Sequence, residues 1–421
     1  MFKKVFYNTG AQIVGKAATA SITLLVTFII TRTLGPAGYG DFTKIFVFVG
    51  YFYTLADFGL NAIYVKLATQ KTHVRLLSIL FGLRLIIALI LASWAILISF
   101  LLPYNSVANT GFSPLVKTGI LVASLTIIPQ ALFTTANAYY QKNLRYDLST
   151  LAAIGGSLVI LISSLFVAFS KFGLLGYVAS YVFGGAAFII IAYWLIFQRT
   201  KKVILPQFVK EESIQITKHA WPIGLALIFN LIYFRIDVFI LANFRSSAEV
   251  GIYGLAYQFF EAALSIPIFF TNAIYPLLTS LYQSSQLEFK KQSMGWSKIL
   301  IAASVCLLSF LVFISLLIPA VFGKQFSAAT RALQILALGM PFFFISSLLW
   351  HLLIIYGKQK LLIYIYATGA LFNLVANLIF IPVYGYLAAS IITVVSEGLI
   401  TLLLAIAIRS QILDLKYQKS K

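Results

Sequence analysis

Six charged residues interrupt long apolar runs in this chain: Arg84, Arg235, Asp57, Asp237, Glu261 and Glu397. An ionised side chain at the centre of a bilayer costs roughly 2.5–3.5 kcal/mol even on lenient insertion scales. Each therefore needs a partner, a water-filled cavity or a route to the interface. The chemistry open to such groups is charge pairing and ion binding. Arg84 stands eight residues into its run, roughly 12 Å deep at ~1.5 Å per helical residue. It and Arg235 are expected to serve a wet cavity. Lys16, Lys44 and Lys117 stand near run ends, where a long side chain can snorkel to the interface.

Amides and hydroxyls follow these charges at helical spacing. Asn61 falls in step with Thr54 and Asp57, Asn272 with Gln258, Glu261 and Ser265, and Asn230 with Tyr233 and Asp237. A further stripe joins Gln12, Lys16, Thr19, Thr23, Thr27 and Thr31, for which helix–helix hydrogen bonding is an ample explanation. Carboxylates are costlier glue. Arg235 and Asp237 are two residues apart, so a regular helix points them to different sides. Pro129, Pro267 and Pro341 lie within apolar runs and are expected to bend them.

The elements that position these groups are membrane spans. Of the 421 residues, 61% are hydrophobic and 10% charged, and mean hydropathy is +0.96. A block of about 20 apolar residues crosses the hydrocarbon core as a helix, with every backbone group satisfied internally. Twelve blocks qualify: Gln12–Leu34, Phe42–Val65, Leu76–Leu102, Val116–Tyr139, Leu148–Phe169, Leu174–Phe197, Trp221–Ala242, Val250–Leu278, Ile299–Phe322, Ala332–Ile355, Leu361–Ile381 and Leu387–Ile408. The fold class is an all-α integral membrane protein.

Loop charge orients it. One set of loops and termini holds 21 of the 31 basic residues. The alternate set holds Lys171, Arg245, Lys324 and Arg331. This asymmetry places both termini in the cytoplasm and makes the span count even. A net charge of +20 would suggest nucleic acid in a soluble protein; on short loops it suggests anionic membrane lipids, and no nucleic-acid partner is expected.

The chain also repeats itself. At an offset of 211, Ala37, Gly40 and Phe48 fall on Ala248, Gly251 and Phe259, and Asn61-Ala62-Ile63-Tyr64 falls on Asn272-Ala273-Ile274-Tyr275. Two homologous six-helix lobes, residues 1–198 and 219–421, are expected around a central cavity, joined by a cytoplasmic linker at 199–218. The linker is expected to lie against solvent and lipid headgroups.

Enzyme chemistry is not expected. His73, His219 and His351 are scattered, Cys306 is the lone cysteine, and no phosphate-binding Gly-rich loop appears. Neither a metal nor a cofactor is expected, beyond a coupling ion.

Four stretches carry a family resemblance. They are Thr31-Arg32-Thr33-Leu34-Gly35-Pro36-Ala37-Gly38-Tyr39-Gly40; Arg235-Ile236-Asp237-Val238 with Ala248-Glu249-Val250-Gly251-Ile252-Tyr253; Asn373-x-x-x-Asn377 with Ile381-Pro382-x-x-Gly385; and Ala389-Ser390 to Ser396-Glu397. In order, they resemble the Wzx-type polysaccharide flippases of the multidrug/oligosaccharidyl-lipid/polysaccharide exporter superfamily. The resemblance implies translocation of an undecaprenyl-pyrophosphate-linked oligosaccharide across the cytoplasmic membrane by alternating access. A polysaccharide polymerase and glycosyltransferases would be its partners. On that reading Arg84 and Arg235, with Lys16, Lys44 and Lys117, would meet the pyrophosphate, arginine through bidentate contacts. Asn61, Asn230, Gln258 and Asn272 would hydrogen-bond sugars. Asp57, Asp237, Glu261 and Glu397 would balance charge or bind a coupling H⁺ or Na⁺. A cation-coupled drug exporter of the same superfamily and a non-transporting scaffold for a polysaccharide synthase stay open.

Overall fold

A computed structural model describes residues 2–68, 73–170 and 172–419, and within them all side chains but those of 2–13, 73, 222, 226, 228–233 and 411–419. The described residues are mostly helix and form two compact units. One comprises residues 1–235 and 246–248, the other 236–245 and 249–421. The boundary falls inside a helix, between Arg235 and Ile236.

The first unit opens with α1 (Phe2–Asp57), whose 56 residues would run about 84 Å if straight, nearly three hydrocarbon thicknesses. Gly35, at φ 65° and ψ −175°, divides it into two crossings, in the Leu-Gly-Pro turn expected after the first span. Then come α2 (Leu60–Leu67), α3 (His73–Leu101), a hairpin of β1 (Tyr104–Asn105) and β2 (Thr110–Gly111), α4 (Pro114–Ser124), α5 (Ile127–Lys142), α6 (Tyr146–Ala168), α7 (Gly173–Thr200) and the first part of α8 (Lys210–Phe244). The threonine stripe of α1 bonds largely to its own backbone: Thr19, Thr23 and Thr31 each donate to the carbonyl four residues back.

Residues 201–209 do not hang free. The Gln207 amide donates to the Ser78 carbonyl at 3.0 Å, and Gly82 of α3 lets that backbone approach, since a Cβ there would come within 2.3 Å of the Gln207 oxygen. Ile204 is buried, and Arg75 pairs with Glu212 at 2.7 Å. This strap belongs to the first unit.

The second unit contains the end of α8, then α9 (Ser247–Ser284), α10 (Gln286–Phe322), a 3₁₀ turn at Lys324–Phe326, α11 (Ser327–Ala337), α12 (Met340–Ile355) and α13 (Gln359–Lys419). α13 spans 61 residues and is divided at Gly385, φ 59° and ψ −139°. All twelve expected spans are thus accounted for. α1 with α2 supplies two, α13 supplies two, and α4–α5 and α11–α12 are each one interrupted span.

The halves share backbone geometry as well as sequence. α4 and α11 have 11 residues each and start 213 apart; α5 and α12 have 16 each and also start 213 apart. Positive φ recurs at an offset of 212, at Gly111 (82°) and Gly323 (114°), and at Gly173 (56°) and Gly385 (59°). Left-handed positions are rare and do not follow from apolar composition, so duplication is their economical cause. The interruptions fall where two prolines are expected to bend their runs. Pro129 is the third residue of α5 and Pro341 the second of α12, each just after the break, where no proline N–H is available to carry the helical bonding across it. Pro267 is interior to α9, as expected.

Candidate functional site

The second crossing of α1 is broken where its charges lie. Phe58 (φ 43°) and Gly59 (φ 73°) turn the backbone out of the helix between α1 and α2. The break strips the carbonyls of Ala56 and Asp57 of helical partners, a costly state inside hydrocarbon. Arg84 of α3 fills it. Its Nε donates to Ala56 O (3.2 Å), Nη2 to Asp57 O (3.1 Å) and Asp57 Oδ1 (2.9 Å), and Nη1 to Asn61 Oδ1 (2.9 Å) and Thr135 Oγ1 (3.2 Å). A guanidinium has five N–H bonds, and all five are used here. The side chain is fully buried, while that of Asp57 is 35% exposed.

The structure therefore brings together three of the expected residues, Arg84, Asp57 and Asn61. It also corrects the role expected of Arg84. No donor is left over for a pyrophosphate, because the broken helix end consumes them. What opens outward is the rim, Asp57 and Asn61, both half-buried.

Lys44 does not snorkel. It is 2% exposed, and its Nζ donates to Gly111 O (2.7 Å) and Ser247 Oγ (2.9 Å); Ser247 in turn donates to Asp41. Thr110 and Ser246 form an antiparallel bridge beside it. The lysine is drawn inward because a carbonyl, a hydroxyl and a carboxylate converge on it. Lys44→Met should leave the Gly111 carbonyl unsatisfied, at about 1–3 kcal/mol. A lower thermal midpoint of the purified protein checks this.

Lys117 of α4 donates to Phe100 O at 3.2 Å, capping the end of α3. Lys16 is exposed and Arg235 half-buried. Asn230 lies on α8, with its side chain outside the described residues.

In the second unit Asp237 is 2% exposed. It accepts hydrogen bonds from Tyr253 and, at 3.4 Å, from Thr393. Glu397 is equally buried and accepts from Ser346. Asn377 donates to Asn373 (2.9 Å), which donates to Ser396 (3.1 Å). Asp237 and Glu397 are thus both held by hydroxyl donors. Glu261 is exposed and Gln258 half-buried.

A second broken helix end is also met by charge. At the Gly385 kink Arg245 Nη1 donates to Pro382 O (3.2 Å) and Glu249 Oε2 accepts from the Tyr386 amide (3.4 Å), while Arg245 and Glu249 pair at 2.9 Å. The sequence places Arg245 among the loop charges and Glu249 in a family stretch, with no pairing between them. Their i,i+4 spacing was the available signal. His351 was also passed over. Its Nε2 lies 3.1 Å from Asn272 Oδ1 and its Nδ1 2.8 Å from Ser347 O.

These features define a polytopic helical membrane protein built from two duplicated six-helix halves, with charge stationed at broken spans. The chain belongs to the family described as polysaccharide biosynthesis protein, whose profile it matches over residues 2–282. The MatE profile matches residues 222–379. A Shigella dysenteriae protein described as "Putative O-antigen transporter" is 27% identical over 195 residues, 46% of this chain and 48% of that protein. An uncharacterised membrane protein of Methanocaldococcus jannaschii is 26% identical over 206 residues, 46% of this chain and 40% of that one. The matches thus span about half the length of these curated relatives, or less. Among solved structures, the inward closed conformation of the lipid II flippase MurJ matches with a TM-score of 0.76 at 15% identity, covering 96% of this chain and 87% of that one. An inward-facing multidrug transporter of the MATE family matches at 0.74 and 13%, covering 94% and 96%. At these identities the structures show a shared fold.

Proposed function

We propose that this protein carries a lipid-linked oligosaccharide, on an undecaprenyl-pyrophosphate anchor, from the inner to the outer leaflet of the cytoplasmic membrane by alternating access. Membership of the polysaccharide biosynthesis family carries the reading. The physical case is consistent with it. A bulky anionic headgroup cannot cross hydrocarbon alone, and this chain keeps partly exposed polar groups, Asp57 and Asn61 among them, inside its spans. The basic loops orient both termini to the cytoplasm, and residues 1–198 and 219–421 act as the lobes. Arg84 sets the geometry, and Asn61, Asp57 and Asn272 offer amides and a carboxylate to sugar hydroxyls. Asp237 and Glu397 are the candidates for a coupling H⁺ or Na⁺.

The test is flipping in vesicles. Purified protein reconstituted with a fluorescent polyprenyl-diphosphate oligosaccharide should move label between leaflets faster than protein-free vesicles do. An imposed Na⁺ or pH gradient should change the rate. Rates equal to empty vesicles would overturn the reading. The MatE match supports a second one, cation-coupled drug export. Drug resistance in a sensitised host, without flipping, would favour it.

A further inference from the structure

The duplicated asparagines have acquired different basic partners. Asn61 accepts from Arg84 at 2.9 Å; Asn272, its equivalent 211 residues on, meets His351 at 3.1 Å. The supporting positions correspond too: Thr135, whose hydroxyl accepts from Arg84, and Ser347, whose backbone carbonyl faces His351, are 212 apart. One feature does not correspond. Arg84 is sealed, whereas His351 is half-buried and Asn272 is exposed. An exposed amide and imidazole within a span are poorly tolerated by hydrocarbon, so this pair belongs against water or a polar ligand.

Its hydrogen bonds set its chemistry. The Ser347 carbonyl can only accept, so Nδ1 carries hydrogen. Nε2 faces the Asn272 amide, whose oxygen and nitrogen exchange places by rotation, so the contact suits either a protonated ring with the amide oxygen inward or a neutral ring with the NH₂ inward. With the ring protonated, the Asn272 amide turns its NH₂ outward. Loss of the proton leaves Nε2 an acceptor, suited by rotating the amide, which turns its oxygen outward instead. The exposed face thus offers a cation and N–H donors when protonated, and an acceptor when neutral.

We propose that His351 and Asn272 form a proton-switched subsite for an anionic oxygen of the diphosphate class, which deepens the flippase reading above and rests on it. The titratable and charged groups around it are few among the described residues. α9 presents Tyr275, its ring 5.2 Å from that of His351. α13 presents Glu397 to Ser346 and Tyr366 to Trp350, both on the helix that bears His351. α10 meets Tyr356 through Phe289, and its Glu288 and Lys291 pair with each other at 3.8 Å. The subsite lies near the basic ends of its spans, four residues from the end of α12.

The experiment follows the imidazole signals of the full chain in lipid nanodiscs by NMR, with and without farnesyl diphosphate. The chain has three histidines, and His351→Asn assigns the signal. Bound probe is expected to raise the His351 midpoint by about one pH unit, so that affinity falls about tenfold as the ring deprotonates. His351→Gln should flatten that pH profile, and Asn272→Ala should weaken binding at low pH. A His351 midpoint unmoved by the bound probe, or an unchanged pH profile in His351→Gln, overturns the inference and leaves the flippase reading standing. Absence of any prenyl-diphosphate binding across the pH range overturns both.

Discussion

Arg84→Ala should be the most damaging single substitution in the first unit, lowering stability by about 3–5 kcal/mol. The guanidinium serves two helix-end carbonyls, a carboxylate, an amide and a hydroxyl at once. Alanine leaves all five acceptors with water or nothing, and the Ala56 carbonyl is well inside the fold. Lysine restores the charge but supplies three donors from a single point, without the planar fork. Arg84→Lys should therefore fall between alanine and wild type. The measurement is thermal unfolding of the purified variants in lipid nanodiscs, paired with the vesicle flipping assay. Because Arg84 is committed to the helix break, loss of flipping should track loss of stability. An Arg84→Ala protein that unfolds within about 1 kcal/mol of wild type would remove the basis for this role.

The second large effect is expected at Gly385. Its φ of 59° is strained for any L side chain, at about 1–3 kcal/mol. A Cβ there would also fall 1.9 Å from Glu249 Oε2 and 3.0 Å from Arg245 Nε. Gly385→Ala should therefore expel the ion pair that satisfies Pro382 and Tyr386, and should cost more than backbone strain alone. The duplicated position provides the control. Gly173 has φ 56° but open space around its Cβ, so Gly173→Ala should show the strain without the clash. Equal losses in the two variants would mean that the Arg245–Glu249 pair contributes little.

The spans were legible because hydrocarbon demands contiguous apolar residues, and the turns at Gly35 and Gly385 because Gly and Pro mark them. The need of Arg84 for partners was legible too. Their identity was not, since it depends on a helix break at Phe58–Gly59, and phenylalanine in a left-handed conformation leaves no sequence signal. Lys44 was misjudged for a related reason. Its partners stand 67 and 203 residues away, and a lysine near a span end looks the same whether it reaches outward or inward. His351 was dismissed for lacking neighbouring ligands in sequence, yet its partner was the very asparagine that revealed the repeat.

Single glycines, with no loop, join two pairs of crossings, at Gly35 and at Gly385. Such junctions leave no slack for foreign sequence. An epitope or protease site placed in either would have to unwind a helix, whereas the hairpin tip, where Val107 is 97% exposed, has room for one. Tagging there, between β1 and β2, is the practical route to reporting which way the chain threads its bilayer.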